Sequence, residues 1–341
     1  MRLLNFSKQF LMASCFTLLL AMATPKELTQ ATPDSAIGQL YYNLDQNPPP
    51  NLPSRINAIS AQFLGKPYLL GALGEGPTGQ YDQMPLYRFD AFDCETYVDT
   101  ILALALAHNQ NQFKQCINQV RYLNGQVSFL YRNHFTCLDW NKNNQRQGFV
   151  KDITQTIRDK QQQPVVKFAR ALIDKKSWYQ HMSIHRIQLN QADKIERAKR
   201  LIALKKHHRQ FSTTLSVIPY IPLSVLFDAK GEANLYLFDQ IPNGAIIEIV
   251  RPNWDLSEKI GSHLNVSHLG FAIRKNSTLL FREASIEKQQ VVDVPLIDYL
   301  RSAQKSPTIK GINLQIIQDK PCGEKSLDHI IGADGNRSII R

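Results

Sequence analysis

The chain has 341 residues, 43% of them hydrophobic and 20% charged, and carries a formal net charge of +11. This composition belongs to a globular protein with a sizeable core and excludes disordered and fibrous classes. The positive surplus favours an anionic partner, whether nucleic acid, anionic lipid or an acidic wall polymer, without choosing among them.

The first predicted element narrows that choice. "MRLLNFSKQFLMASCFTLLLAMATP" places Arg2 and Lys8 before an apolar run from Phe10 to Ala23, and "AMA" at 21–23 supplies small residues for cleavage. This is the pattern of a secretory signal peptide over 1–23. The run is short for a membrane span. A periplasmic or secreted location follows, with the mature chain starting near Thr24, and nucleic acid is no longer an expected partner.

Residues 24–53 contain "QNPPPNLP" and read as an N-terminal extended segment. "SRINAISAQFLGKPY" follows as a helix, with Ser54 as its cap and Gly65 and Pro67 at its end. The glycine-rich "GALGEGPTG" (71–79) lacks the lysine of a phosphate loop and follows no strand, so no nucleotide is expected there. Residues 94–108 are apolar nearly all round, as a buried central helix should be. A second helix is expected over 111–125, closed by Gly125.

From about 150 to 217 the chain is polar and basic and reads as an inserted helical lobe. Such a lobe offers peripheral contact with an anionic membrane or wall polymer. Five short strands follow at 244–250, 266–273, 277–285, 290–295 and 311–317, each rich in β-branched and apolar residues. Helices first and consecutive strands after them define an α+β fold, an antiparallel sheet packed on the Cys94 helix. The main domain spans 54–320, and 321–341 is a C-terminal tail.

Four cysteines remain beyond the signal segment, Cys94, Cys116, Cys137 and Cys322, too few for a disulfide scaffold. A Cys116–Cys137 pair and four reduced thiols both fit. The histidines at 207–208 and the pair His263 and His268 lack zinc-ligand spacing, so neither a metal nor a cofactor is expected.

Cys94 carries the chemistry. A thiol attacks as its thiolate, and the unpaired N–H groups and positive dipole at a helix N-terminus favour that form. Asp93 suits the N-cap, which puts Cys94 in the first turn, where the same amides can hold an oxyanion. A base is supplied by register. If "NVSHLGFAIRKNSTLLFREAS" is a hairpin with Ile273 facing Thr278, then His268 faces Glu283. Val266, Gly270 and Ala272 share their face, small enough for the Cys94 helix to approach there. Nucleophile, base and orienting carboxylate form the arrangement of a cysteine hydrolase.

"GKPY", "FDCETYVDTILALA", "VRYLNG", "YRNHF", "NNQRQGFVKDIT", "VSHLGFAI" and "FREAS" occur in that order from about Ile56 to Leu314. Together they resemble the N-acetylmuramoyl-L-alanine amidase-like family, a branch of the NlpC superfamily of papain-like cysteine peptidases. The resemblance implies a papain-like fold, Cys94 as nucleophile and His268 as general base. It implies that Tyr68 supports the oxyanion beside Asp93, and that Arg132, His134 and Trp140 line a substrate cleft.

The third catalytic position of the family is usually histidine and here is Glu283. The usual Asp-Gly-Asp before the first sheet strand is here "IPNGAIIEIV". The implied substrate is peptidoglycan or a muropeptide, cut between N-acetylmuramic acid and L-alanine. A stem-peptide endopeptidase and an inactive wall-binding protein of the same fold are the alternatives.

Overall fold

The structure, a computed structural model, describes residues 32–191 and 193–323. The signal segment 1–23 and most of the tail 321–341 lie outside the described residues.

The first half of the chain is helical: α1 (Pro33–Gln46), α2 (Leu52–Ala61), α3 (Cys94–Leu106), α4 (Gln110–Arg121) and α5 (Asn141–Gln147). The extended segment expected before residue 54 therefore contains a helix. Ile37, Leu40, Tyr41 and Leu44 recur at helical spacing on α1 and are buried, and the Tyr41 hydroxyl donates to the Leu104 carbonyl of α3 at 3.2 Å. The proline run only separates α1 from α2.

The cap of α2 is Asn51, whose Oδ1 accepts from the Ser54 N–H at 2.9 Å, with proline tolerated in the first turn behind it. Ser54 is thus inside the helix it was expected to open. α4 ends at Arg121, before Gly125, which closes a separate turn at φ +71°.

Strands β1 (Val150–Asp152), β2 (Lys167–Asp174) and β3 (Thr213–Pro222) come from the region read as a basic helical lobe. Among its described residues, only α6 (Lys175–His181) and α7 (Lys194–Lys206) are α-helices. β2 alternates Ala169, Ala171 and Ile173 inward with Phe168, Arg170 and Leu172 outward. Arg170 sits on the solvent side of this period-two strand and Lys167 is exposed at its first position, and their charge hid that period.

After α8 (Leu223–Leu226) and α9 (Leu235–Asp239) come β4 (Ile246–Leu256), α10 (Ser257–Ile260), β5 (Ser262–Lys275), β6 (Thr278–Ser285), β7 (Gln290–Pro295), α11 (Leu296–Ala303) and β8 (Gly311–Ile317). All five expected strands form.

The strands join one antiparallel sheet in the order β2-β3-β8-β4-β5-β6-β7, with β1 also paired to β8. Both faces of its centre are covered. Ile246 and Val250 of β4 share a core with α1–α4, whereas Ile247 and Ile249 share another with α8, α9 and α11. Burial on both sides explains why "AIIEIV" reads as a continuous apolar run rather than an alternating one.

Cys116 is disulfide-bonded to Cys322, 206 residues apart, which ties the end of the described chain to α4; Cys94 and Cys137 are free thiols.

Candidate active site

Cys94 is the first residue of α3, and the sequence before it fixes where that helix begins. Asp93 has extended backbone angles, and its Oδ1 accepts from the Thr96 N–H at 2.8 Å. Thr96 Oγ1 in turn accepts from the Asp93 N–H at 2.9 Å, a reciprocal cap that stabilises a helix start by about 1 kcal/mol. The other oxygen of Asp93 accepts from the Gly71 N–H at 2.8 Å, so the glycine-rich loop is pinned to the same point. Behind Cys94 the helix from Thr96 to Leu106 is buried. The thiol itself is partly exposed.

His268 and Glu283 come together, though by a different register from the one expected. The β5–β6 ladder pairs Ala272 with Phe281 and Lys275 with Thr278, two residues out from the anticipated Ile273–Thr278 pairing. The tight turn is Asn276–Ser277, both at positive φ, the conformation a two-residue hairpin demands. A slip of two keeps every side chain on its expected face, whereas a slip of one would have reversed them.

The ladder stops at Phe271↔Arg282. Beyond it β5 continues against β4, with His268 opposite Ile249, and β6 against β7, with Glu283 opposite Val292. At this fork Glu283 Oε2 and His268 Nε2 form a short hydrogen-bonded ion pair, largely withdrawn from solvent. Nδ1 is then the nitrogen left for Cys94, which also interacts with the ring.

Helix α3 does not pack on the face that carries His268. Its Tyr97 ring meets Phe271 edge-on at 6.0 Å, on the side shared with Ile273 and Leu269. The other side, with Ala272, Phe281 and α11, receives the imidazole, which lies edge-on to Phe281 at 5.7 Å and over Tyr299 at 6.5 Å. Gly270 is small for Phe281 rather than for the helix: a Cβ there would stand 2.5 Å from the Phe281 ring. Cys94 meets His268 at the fork from the opposite layer.

Burial alone would lower the His268 pKa. Hydrogen bonding to Cys94 and Glu283, and the charges of both, more than offset it and push the value up to about 10. The ring is charged at neutral pH. Burial, followed by the charges of Cys94 and Asp93, holds the Tyr68 phenol far above its ordinary range, so beside Cys94 it remains an O–H donor. Tyr299 is raised in the same sense, first by burial and then by Glu283, Glu287 and Cys94.

A cleft opens beside the thiol. Its inner cavity, about 270 Å³, is lined by Asp93 and Glu95, the residues flanking Cys94. Leu70, Gly71, Arg132, Trp178, Arg186 and Ile260 line both this cavity and an outer one of about 500 Å³, making one continuous groove. Arg132 lines it but is occupied, because its guanidinium pairs with Glu75 and, at 2.9 Å, with Asp82. His134 lines the inner part, and burial followed by the Arg132 charge holds it well below the ordinary imidazole range, hence neutral. Trp140 does not reach the cleft. It is fully buried, and its Nε1–H donates to Asp99 at 2.6 Å.

Sequence reasoning missed Tyr299, Glu75, Asp82 and Glu95. Helix α11 carries apolar residues at Leu296, Leu300 and Ala303, a period that could have revealed the helix; nothing local marks Tyr299 as the cover of an imidazole.

The fold and site define an α+β protein with a cysteine, a histidine and a carboxylate gathered at one end of an antiparallel sheet. The AmiA-like family, described as N-acetylmuramoyl-L-alanine amidase-like, matches residues 58–309, and the chain belongs to it. That membership carries an amidase-like hydrolase role toward a peptidoglycan-type substrate. Protein LPG0564 from Legionella pneumophila str. Philadelphia 1 is 52% identical, over 84% of this chain and 95% of that one, with a TM-score of 0.82. A crystal structure of an N-acetylmuramoyl-L-alanine amidase from Bacteroides uniformis ATCC 8492 is 22% identical, over 78% of this chain and 99% of that one, with a TM-score of 0.55, a likeness of fold. No curated protein matches the chain.

Proposed function

We propose that the protein is an exported cysteine amidase of the papain-like NlpC type that cuts the bond between N-acetylmuramic acid and L-alanine in peptidoglycan or its fragments. The observation that carries this reading is His268 held between Cys94 and Glu283, with Cys94 in the capped first turn of α3. The +11 charge suits an acidic wall polymer. Export rests on the signal-like 1–23, and the Cys116–Cys322 disulfide supports it, because such bonds persist in oxidising compartments.

In this mechanism the charged His268 already holds the proton of the Cys94 thiol, and the thiolate sulfur bonds to the amide carbonyl carbon. The oxyanion is held by amides at the start of α3 and by the Tyr68 hydroxyl. The C–N bond breaks as His268 protonates the leaving L-alanine amine, leaving a thioester. Water, giving its proton to His268, attacks the thioester, and the thiolate recovers that proton or leaves it on the imidazole. Glu283 fixes the ring and stabilises its charge throughout.

Mass spectrometry of a muropeptide digest, with the protein and its Cys94→Ala variant side by side, tests this. Free stem peptide beginning with L-alanine, from the wild type alone, is the expected product. Cleavage within the stem would make it an endopeptidase with the same nucleophile. Absence of product from the folded wild type would remove the catalytic reading.

A further inference from the structure

The mechanism leaves the far end of the cleft unexplained. Arg186 lines both cavities, following α6 in a short turn beside His181, Met182 and His185. Its side chain makes no hydrogen bond or ion pair among the described residues. The other arginines there are spent: Arg121 pairs with Asp99, and Arg132 with Glu75 and Asp82. The acids of the outer cavity are equally committed, since Asp82 is the only carboxylate lining it and is held by Arg132. Lys259 lines the same cavity and forms no ion pair among the described residues. Arg186 is exposed along the groove; partial desolvation by the surrounding wall first, then the neighbouring Arg132 charge, pull its pKa below the ordinary value, with Asp82 opposing. The groove thus presents an exposed guanidinium with no ion pair among the described residues, a second exposed cation lining the same cavity and no free anion in the outer cavity.

We propose that Arg186, assisted by Lys259, is a carboxylate-recognising subsite that selects substrates whose peptide portion carries a free carboxylate close to the scissile amide. A planar guanidinium accepts a carboxylate through two parallel N–H donors, which fixes orientation as well as charge. The site is continuous with the cavity flanking Cys94, so a peptide bound there would run toward the thiol. This inference rests on Cys94 as the amide nucleophile and assigns the peptide side of its substrate to the Arg186 end.

The test compares N-acetylmuramoyl-L-alanyl-D-glutamate with its D-isoglutamine counterpart, in which an amide replaces the α-carboxylate. Wild type should turn over the acid with a kcat/KM about ten- to a hundredfold higher, mainly through KM. Arg186→Gln should erase that preference, bringing kcat/KM on the acid down to the level of the amide substrate, and Arg186→Lys should restore part of it. Equal turnover of both substrates by the wild type, or an equal loss on both in Arg186→Gln, overturns the proposal.

If the wild type turns over neither substrate, the catalytic reading fails, and the subsite is judged separately by calorimetric titration of Cys94→Ala with L-alanyl-D-glutamate and L-alanyl-D-isoglutamine. Tighter binding of the acid that Arg186→Gln abolishes upholds the subsite. Equal binding, or none, rejects it.

Discussion

His268 and Glu283 are joined side chain to side chain although the ladder that brings their strands together ends at Phe271↔Arg282, before reaching either of them. The pair occupies the place where β5 and β6 take different partners, and Cys94 is presented there from the opposite layer.

This pair makes the imidazole titration a measurable property of the site. Because Cys94 and Glu283 both raise the His268 pKa against burial, each of Cys94→Ala and Glu283→Gln should lower it from about 10. NMR titration of the ring protons reads this directly. Glu283→Gln should also cut kcat by a factor on the order of 10²–10⁴, the scale for losing the orienting carboxylate of a triad.

The same shift predicts the pH dependence of stability. The folded pKa is raised, so the contribution of His268 is complete below about pH 6.5, where the ring is charged in folded and unfolded chains alike. It is lost as pH rises through about 10. Urea unfolding at pH 6, 8 and 10 should show stability declining across this window, and Glu283→Gln should flatten the decline.

Asp93→Ala removes the reciprocal cap and releases Gly71. The expected loss is about 1–2 kcal/mol in denaturant unfolding, together with reduced turnover because the thiol loses its fixed helix start. Asp93→Asn keeps the oxygen that caps α3 but turns an NH2 toward the Gly71 N–H, so it should recover only part of the stability.

Arg132 stands between Glu75 and Asp82 with little exposure. Arg132→Met leaves both acids without their counter-charge and should cost about 3–5 kcal/mol. Burial already raises the Glu75 pKa, so the unpaired acid should take up a proton and the loss should shrink toward acid pH. Thermal melts at pH 5 and pH 8 would show this.

Cys322→Ser opens the bond to Cys116, which closes a long loop and whose two cysteines do not line the cleft. Unfolding free energy should fall by about 2–4 kcal/mol with turnover intact. An equal loss of activity would place the tie within the catalytic machinery.

The residues that meet at the fork were legible in the sequence because each rested on a local rule. Asp93 before an apolar helix is a cap signal, and the strand runs announced themselves by branched residues. His268 and Glu283 shared a face because parity survives a two-residue slip. Rules that depend on distant partners failed. Nothing local said that β2, with its exposed Lys167 and Arg170, pairs with β3 to widen the sheet, or that Cys116 bonds to Cys322. Trp140 resembles a cleft residue by motif, yet its indole is needed inward by Asp99. Which face α3 covers was decided by Phe271 and Tyr97, two large rings that fit each other, rather than by the small residues opposite.

Asp93 serves two masters at once, one oxygen setting where α3 begins and the other holding Gly71. The 71–79 loop that walls the cleft and the sulfur that attacks are therefore hinged on a single carboxylate. Altering substrate preference by exchanging that loop would also move the nucleophile unless the replacement offers an N–H at the same point. Specificity and reactivity in this fold are geared together, and a graft that ignores Gly71 should lose both.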